Sequence, residues 1–207
     1  MLNIFLSASI PLPNRNKCFY ETADILAIKE AIRSLVEVVT PHGRIVCGGH
    51  PAITPLLAMA TKNKEKDSIS IFQSKFFELE FPKAVYEFID LNIIDAIAND
   101  RYESLRKMRQ EMIKSQQFDA IVLIGGMEGV IDELDMFLEH HSGAQVIPLA
   151  STGAAAKIVY DIEKNRPVPR FQLDSRFEND YTYSSLFRRL FREYFKSKPK
   201  FLLENID

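Results

Sequence analysis

The chain has few cysteines, no long apolar segment and no surplus of charge. Two cysteines, Cys18 and Cys47, among 207 residues exclude a disulfide framework. No apolar run approaches the roughly 20 residues that span a bilayer, and no positively charged leader precedes a cleavage site. We therefore expect a cytoplasmic protein that does not contact a membrane. With 26 basic and 28 acidic residues, it has no overall attraction for nucleic acid.

The sequence also gives little support for a metal site or a reactive thiol. The four histidines have no ligand spacing, so no metal site is predicted, and no motif calls for a cofactor. Cys47 lies in the apolar run 44–47 and is expected to be a small buried strand residue rather than a nucleophile.

Apolar runs alternate with helical patterns along the whole chain. Runs at 2–7, 44–47, 68–72, 120–124 and 145–149 predict strands, and 91–94 is a candidate for a further short one. Helical spacing is found at 22–39, 52–62, 101–116, 130–140, 154–164 and 183–196. This alternation predicts an α/β fold with a doubly wound, mainly parallel, Rossmann-like sheet that has helices on both faces. Nothing resembling a linker interrupts it, so residues 1–207 are predicted to form one domain, with the 183–196 helix packed on it.

The residues that follow the predicted strands are small or capable of hydrogen bonding. In an open parallel sheet, ligands bind beyond the carboxyl ends of the strands, so these residues are the candidates for a binding site. The candidates are Ser7 and Ser9, then Gly48, Gly49, His50 and Thr54, then Gln73 and Ser74, then Gly125, Gly126, Met127, Glu128 and Gly129, and finally Thr152.

Two of these strand ends carry a glycine pair followed by a helix, at Gly48-Gly49 and Gly125-Gly126. Glycine lets a ligand approach the backbone, and a helix start offers free amide donors, which together suit phosphate. A single such turn could equally be a tight strand-to-helix connection. No Gly-Lys-Ser/Thr or Gly-x-Gly-x-x-Gly sequence is present, so an ATPase or a dinucleotide fingerprint is not indicated.

The loop after the first strand adds Arg15 and Tyr20 as candidate ligand contacts. Arg15 could pair with a phosphate and Tyr20 could stack on a base. The alternative is a solvated loop arginine and a packing tyrosine.

These motifs resemble the SLOG superfamily, which includes the cytokinin-activating LOG phosphoribohydrolases and the DprA proteins. The resemblance runs from residue 2 to about residue 153 and is most distinctive from Gly48 to Pro55. It points to a bacterial branch found around nucleotide-signalled immunity systems. The resemblance implies a nucleotide-binding Rossmann-like domain, often dimeric.

The LOG enzymes carry the motif Pro-Gly-Gly-x-Gly-Thr-x-x-Glu, which binds phosphate and supplies a catalytic glutamate. The present chain departs from it in having Ile124 for proline, Val130 for threonine and Glu128 as an extra residue. No arginine stands in 116–119, just ahead of the motif, to match the LOG catalytic arginine. The matching positions are Gly125, Gly126, Gly129 and Glu133.

Three functions follow as hypotheses. The first is a domain that senses a nucleotide-derived signal such as ADP-ribose or a cyclic relative, in a stress or antiphage defence system. The second is a phosphoribohydrolase in which Glu133 is the general acid/base; Glu133 could equally be an acid that stabilises a helix start. The third is a subunit of a larger assembly, with an effector protein bound by the basic face of the 183–196 helix, although such a face is more often simply solvated. The resemblance also implies a homo-oligomer.

Overall fold

The protein is described by a computed structural model that covers residues 1–61 and 66–196. Six strands form a single parallel sheet in the order β4-β3-β2-β1-β5-β6. The strands are β1 (Leu2–Ser9), β2 (Gly43–Gly48), β3 (Ile69–Ser74), β4 (Asp90–Ile94), β5 (Ala120–Gly125) and β6 (Gln145–Leu149). The candidate strand at 91–94 is thus an edge strand of the sheet.

Helices connect the strands and cover the sheet. They are α1 (Lys17–Tyr20), α2 (Ile25–Val39), α3 (Thr54–Ala60), α4 (Arg101–Lys114), α5 (Glu128–His140), α6 (Ala154–Lys164), α7 (Arg176–Asn179), α8 (Tyr183–Leu190) and α9 (Arg192–Lys196). Short 3-10 turns at Lys75–Glu80 and Lys83–Glu87 lead from β3 to β4. Within the described ranges, no helix combines the length and apolarity needed to cross a membrane.

Strand side chains alternate between two apolar layers, one on each face of the sheet. In β1, Leu2, Ile4 and Leu6 belong to the layer that α2, α3 and α8 cover, whereas Phe5 belongs to the layer beneath α4, α5 and α6. The interior strand β5 is buried at every residue, as expected for a strand covered on both sides. The predicted doubly wound α/β fold is confirmed.

Several helix boundaries differ from the sequence prediction. Helix α2 begins at Ile25 rather than at 22, because the Asp24 side chain accepts from the amide of Ala27 and caps the helix there. The helix predicted to begin after Gly129 begins two residues earlier than 130, at Glu128. The helix predicted over 183–196 is divided at Phe191 into α8 and α9.

Helix α3 begins at Thr54 rather than at 52. The amides of Ile53 and Thr54 are already bonded to the carbonyl of His50, so residues 50–53 form a turn ahead of the helix. The predicted end of this helix, at Lys62, lies outside the described residues.

The C-terminal segment packs beside α2. The Ser184 hydroxyl donates to Ser34 at 3.0 Å, and Arg188 pairs with Glu37 at 3.3 Å. Phe187 and Phe191 are buried in the layer that α2 covers.

Candidate functional site

A cavity of about 490 Å³ lies at the carboxyl edge of the sheet, beyond β1, β2 and β3. It is bounded by the loop after β1, the 3-10 turns after β3, and helices α4 and α5. Its size is typical of small-molecule sites, and much of its lining is apolar. The predicted site residues that line it are Ser9, Arg15, Gly48, Gly49, His50, Gln73, Ser74, Met127, Gly129 and Glu133.

Other predicted residues lie outside this lining. Tyr20, at the end of α1, is exposed. Thr54 is fully buried at the start of α3. Glu128 is exposed at the start of α5, so the additional carboxylate in the glycine motif does not line the cavity.

Four predicted residues lie behind the lining residues and support them, namely Ser7, Gly125, Gly126 and Thr152. The Thr152 hydroxyl accepts from the amide of Gly125 at 2.8 Å, and the Ser9 carbonyl accepts from the amide of Gly126, also at 2.8 Å. These contacts fix the turn between β5 and α5.

The Gly125-Gly126 turn requires glycine for its own conformation. Gly125 and Gly126 have φ values of +58° and +95°, in the left-handed region that side chains disfavour. A Cβ on Gly125 would lie 2.5 Å from Ile28 Cδ1, and one on Gly126 would lie 2.3 Å from Val130 Cγ2. The space beside both glycines is therefore filled by the protein itself.

Glu133 lies in the wall that α5 contributes to the cavity. Its Oε2 accepts a hydrogen bond from the Ser7 hydroxyl at 2.5 Å. Arg109, on α4, places its Nε 3.4 Å from Oε1 of Glu133 and donates from Nη1 to Asp132 at 3.0 Å. The side chains of Arg109 and Glu133 are only 16% and 15% exposed. Burial raises the pKa of Glu133, and the Arg109 charge and the Ser7 hydrogen bond oppose that rise.

Arg109 is a candidate site residue that the sequence analysis did not predict. The LOG motif directs attention to residues just ahead of the glycines, whereas Arg109 reaches the site from the middle of α4. One signal could have found it: Arg109 stands four residues after Leu105 and three before Met112, on the helix face predicted to point inward. An arginine within an inward-facing apolar stripe needs a partner.

Gly129 makes room for this arginine. A Cβ at Gly129 would lie 2.5 Å from Nη2 of Arg109. The guanidinium therefore rests against the first turn of α5, where backbone amides are not all used by the helix. An anion at this point would meet both the arginine and the positive end of the helix.

A further wall of the cavity is built by the ends of β2 and β3. Gln73 is 5% exposed and Ser74 is buried; the Ser74 hydroxyl accepts from the amide of Phe76 at 3.4 Å. His50 accepts at Nδ1 from the amide of Ala52 at 3.1 Å. Burial, together with the nearby Arg15 charge, lowers the pKa of His50 to about 4, so its imidazole is neutral at physiological pH.

Two further arginines line the cavity. Arg15 projects from the loop after β1, and Arg101, at the start of α4, lies over the Phe77 ring at 5.5 Å from its centroid. With Arg109 they make three cations among the lining residues, against the two carboxylates of Glu80 and Glu133. The lining therefore favours a negatively charged ligand.

Among the described residues, the lining offers neither a thiolate nor a cluster of metal ligands. Burial and the nearby Glu133 charge raise the pKa of Cys47 to about 12, so its side chain remains a thiol. Over residues 1–61 and 66–196, no three His, Cys, Asp or Glu side chains are grouped to hold a metal ion.

Comparison with known proteins places the chain in a family. The X-ray structure of TM1055, a structural genomics target, superposes with a TM-score of 0.51 at 14% identity, covering 92% of this chain and 99% of that one. This likeness concerns the fold. No curated protein matches the chain significantly. The model of the SLOG cluster3 family matches residues 18–191, which confirms the resemblance to the SLOG superfamily. Because that match spans well over half of its residues, the chain belongs to the SLOG cluster3 family.

Proposed function

We propose that this protein binds a nucleotide-derived ligand that carries phosphate, of the kind of ADP-ribose or a cyclic nucleotide, in the cavity beside Arg109. Family membership supports a nucleotide-related role in general. The proposal also gives this ligand a role as a signal in bacterial stress or antiphage defence. That role rests on the family resemblance.

The position of Arg109 carries the proposal. An arginine that is 16% exposed would be costly beside an apolar cavity unless it had anionic partners. Asp132 and Glu133 supply two such partners, at Nη1 and Nε. The third nitrogen, Nη2, lies against Gly129 in the first turn of α5, and Arg109 and Gly129 both line the cavity. A phosphate there would accept charge-assisted hydrogen bonds from the guanidinium and from backbone amides.

The rest of the lining suits the remainder of a nucleotide. Leu105, Met108 and Met127 add apolar surface to the same cavity, on which a base or a ribose could pack. Arg15 and Arg101 add positive charge, which would favour entry of an anion.

A ligand panel tests this proposal. The protein is melted alone and with ADP-ribose, 3′,5′-cyclic AMP, the four common nucleoside 5′-monophosphates, or inorganic phosphate. A ligand present at 100 times its Kd stabilises the native state by about 2.7 kcal/mol, which corresponds to a rise in Tm of roughly 5–10 °C for a chain of this size. We expect such a rise with at least one nucleotide and not with phosphate alone. A Tm that no nucleotide changes would contradict the proposal.

Hydrolysis of the N-glycosidic bond is the second candidate function, and the Arg109–Glu133 contact favours it. Two sequence features argue against it, namely the absence of an arginine just ahead of the glycines and the extra Glu128. In the structure Arg109 adjoins Glu133, and Glu128 does not line the cavity. A buried carboxyl group with a raised pKa is suited to general acid/base work. In the reaction, water adds to C1′ of the ribose, the bond from C1′ to the base breaks, and the departing base nitrogen takes up a proton.

Free base is the product that distinguishes the two candidates. Each nucleoside monophosphate is incubated with the wild-type protein and with Glu133→Gln, and the base is quantified by chromatography. Release by the wild type that Glu133→Gln abolishes would establish hydrolysis. Binding without release would eliminate hydrolysis and leave the binding proposal intact.

A further inference from the structure

The part of the cavity wall at the end of β3 holds an amide nitrogen that has no hydrogen-bond partner. Among the described residues, five buried side-chain nitrogen or oxygen atoms lack a hydrogen bond, and Gln73 Nε2 is one of them. Gln73 lines the cavity although it is 5% exposed. Buried amide groups are normally hydrogen-bonded, so an unused one at the edge of a cavity indicates a missing partner.

Gly49 provides the space that this amide occupies. A Cβ at Gly49 would lie 2.1 Å from Nε2 of Gln73 and 2.5 Å from its Cδ. The φ angle of Gly49 lies outside the left-handed region, so the backbone itself does not require glycine there. The absence of a side chain at position 49 therefore serves the placement of Gln73.

His50 adds a second uncharged donor to the same wall. Its Nδ1 accepts from the Ala52 amide, so the neutral ring carries its proton on Nε2. His50 and Gln73 stand at the ends of the neighbouring strands β2 and β3, and both line the cavity. His50 and Gln73 thus present neutral hydrogen-bonding groups, in contrast to the charged side chains of Arg109 and Glu133 in the same cavity.

We propose that His50 and Gln73 recognise the hydrogen-bond-accepting atoms of the base while Arg109 holds the phosphate of the same nucleotide. Neutral donors suit the carbonyl oxygens and ring nitrogens of a base, whose selection depends on hydrogen-bond pattern. The two walls stand at the ends of β2 and β3 and at the start of α5, which follows β5. Both groups of residues line one cavity of about 490 Å³, which is large enough for a base as well as a phosphate.

This inference rests on the proposed function, and a base-selectivity measurement tests it. The wild-type protein and Gln73→Leu are titrated calorimetrically with adenosine, guanosine, cytidine and uridine 5′-monophosphates and with ribose 5-phosphate. In the wild type, the preferred monophosphate should bind at least about tenfold more tightly than ribose 5-phosphate. In Gln73→Leu that advantage should fall to within about threefold, with the affinity for ribose 5-phosphate unchanged.

A second variant and a control make the result decisive. Gly49→Ala should also reduce base selectivity, because its methyl group displaces the Gln73 amide. This variant provides the test if Gln73→Leu does not fold. Gly143→Ala, whose Cβ meets nothing within 4 Å, should bind all five compounds as the wild type does.

Two results would overturn the inference. Equal weakening of ribose 5-phosphate and the nucleotides in Gln73→Leu would assign this wall to phosphate or to folding. Unchanged base preference in both Gln73→Leu and Gly49→Ala would show that the Gln73 amide does not recognise the base. Failure of the wild type to bind any nucleotide, the ADP-ribose and 3′,5′-cyclic AMP of the ligand panel included, would instead remove the proposed function on which the inference rests.

Discussion

The two glycine pairs occupy equivalent places in the sheet, yet they serve different purposes. Gly125-Gly126 and Gly48-Gly49 each end a buried parallel strand at the same edge. The first pair has left-handed φ angles, and both of its missing side chains would collide with Ile28 or Val130. The second has no left-handed φ, and its missing side chain at Gly49 is replaced by the Gln73 amide. One pair is required by the turn, and the other shapes the cavity.

Gly125→Ala should have the largest effect on stability. The alanine would have to adopt φ near +58° with its methyl group 2.9 Å from the Ser9 carbonyl oxygen, which is backbone and cannot easily move. Left-handed strain and overpacking together should lower the free energy of unfolding by about 2–4 kcal/mol. Urea unfolding measures this loss, with Gly143→Ala as the control for replacing a glycine. A loss below about 0.5 kcal/mol would mean that the two pairs are equivalent.

Glu133→Gln should have an intermediate effect that depends on pH. Burial raises the pKa of Glu133 above its ordinary value of 4.5, so ionisation of this side chain disfavours the folded state. The stability that the protonated form contributes is fully present below pH 4.5 and is lost as the pH rises through the raised pKa. Glutamine cannot ionise and can still accept from Ser7, so the variant should gain Tm relative to the wild type as the pH increases.

Melting curves of both proteins between about pH 4.5 and pH 8 measure this difference. The difference in Tm should be smaller than the one caused by Gly125→Ala, and Glu193→Gln, which changes an exposed residue of α9, serves as the control. A difference that shrinks as the pH rises would show that Arg109 and Ser7 outweigh burial, and that the charged wall stabilises the fold.

Gly49→Ala should have the smallest effect on stability. The group that its methyl would displace is the end of a flexible side chain, and the backbone conformation tolerates alanine. We expect the free energy of unfolding, measured in urea, to change by less than about 1 kcal/mol, partly because alanine restricts the unfolded chain. A loss as large as that of Gly125→Ala would assign Gly49 to the fold rather than to the cavity.

The amino-acid pattern is sufficient to predict the sheet and the strand-end part of the cavity. Buried strands are marked by continuous apolar runs, and parallel strands bring their carboxyl ends to one edge, so Ser9, Gly48 and Gln73 can be grouped without coordinates. The difference between the glycine pairs is not predictable in this way. Both pairs have the sequence Gly-Gly. Only the three-dimensional packing shows which atoms occupy the space that a side chain at each glycine would need.

The contributions of Arg109 and of the 3-10 turns after β3 to the cavity cannot be predicted from the sequence, for two different reasons. The partner of Arg109, Glu133, is 24 residues away on another helix, and no local spacing joins the two. Phe77 and Phe81 line the cavity from a segment without a regular hydrophobic period, so their direction cannot be derived from the pattern.

Calorimetric titration of Arg109→Gln with the tightest-binding nucleotide of the panel tests the central claim most directly. Arg106→Gln is the matched control, because Arg106 lies on the same helix, pairs with Glu103 and does not line the cavity. A charge-assisted contact with phosphate predicts that Arg109→Gln weakens binding by roughly 10-fold to 100-fold while Arg106→Gln stays close to the wild type. Equal affinities for Arg109→Gln and the wild type would contradict the account.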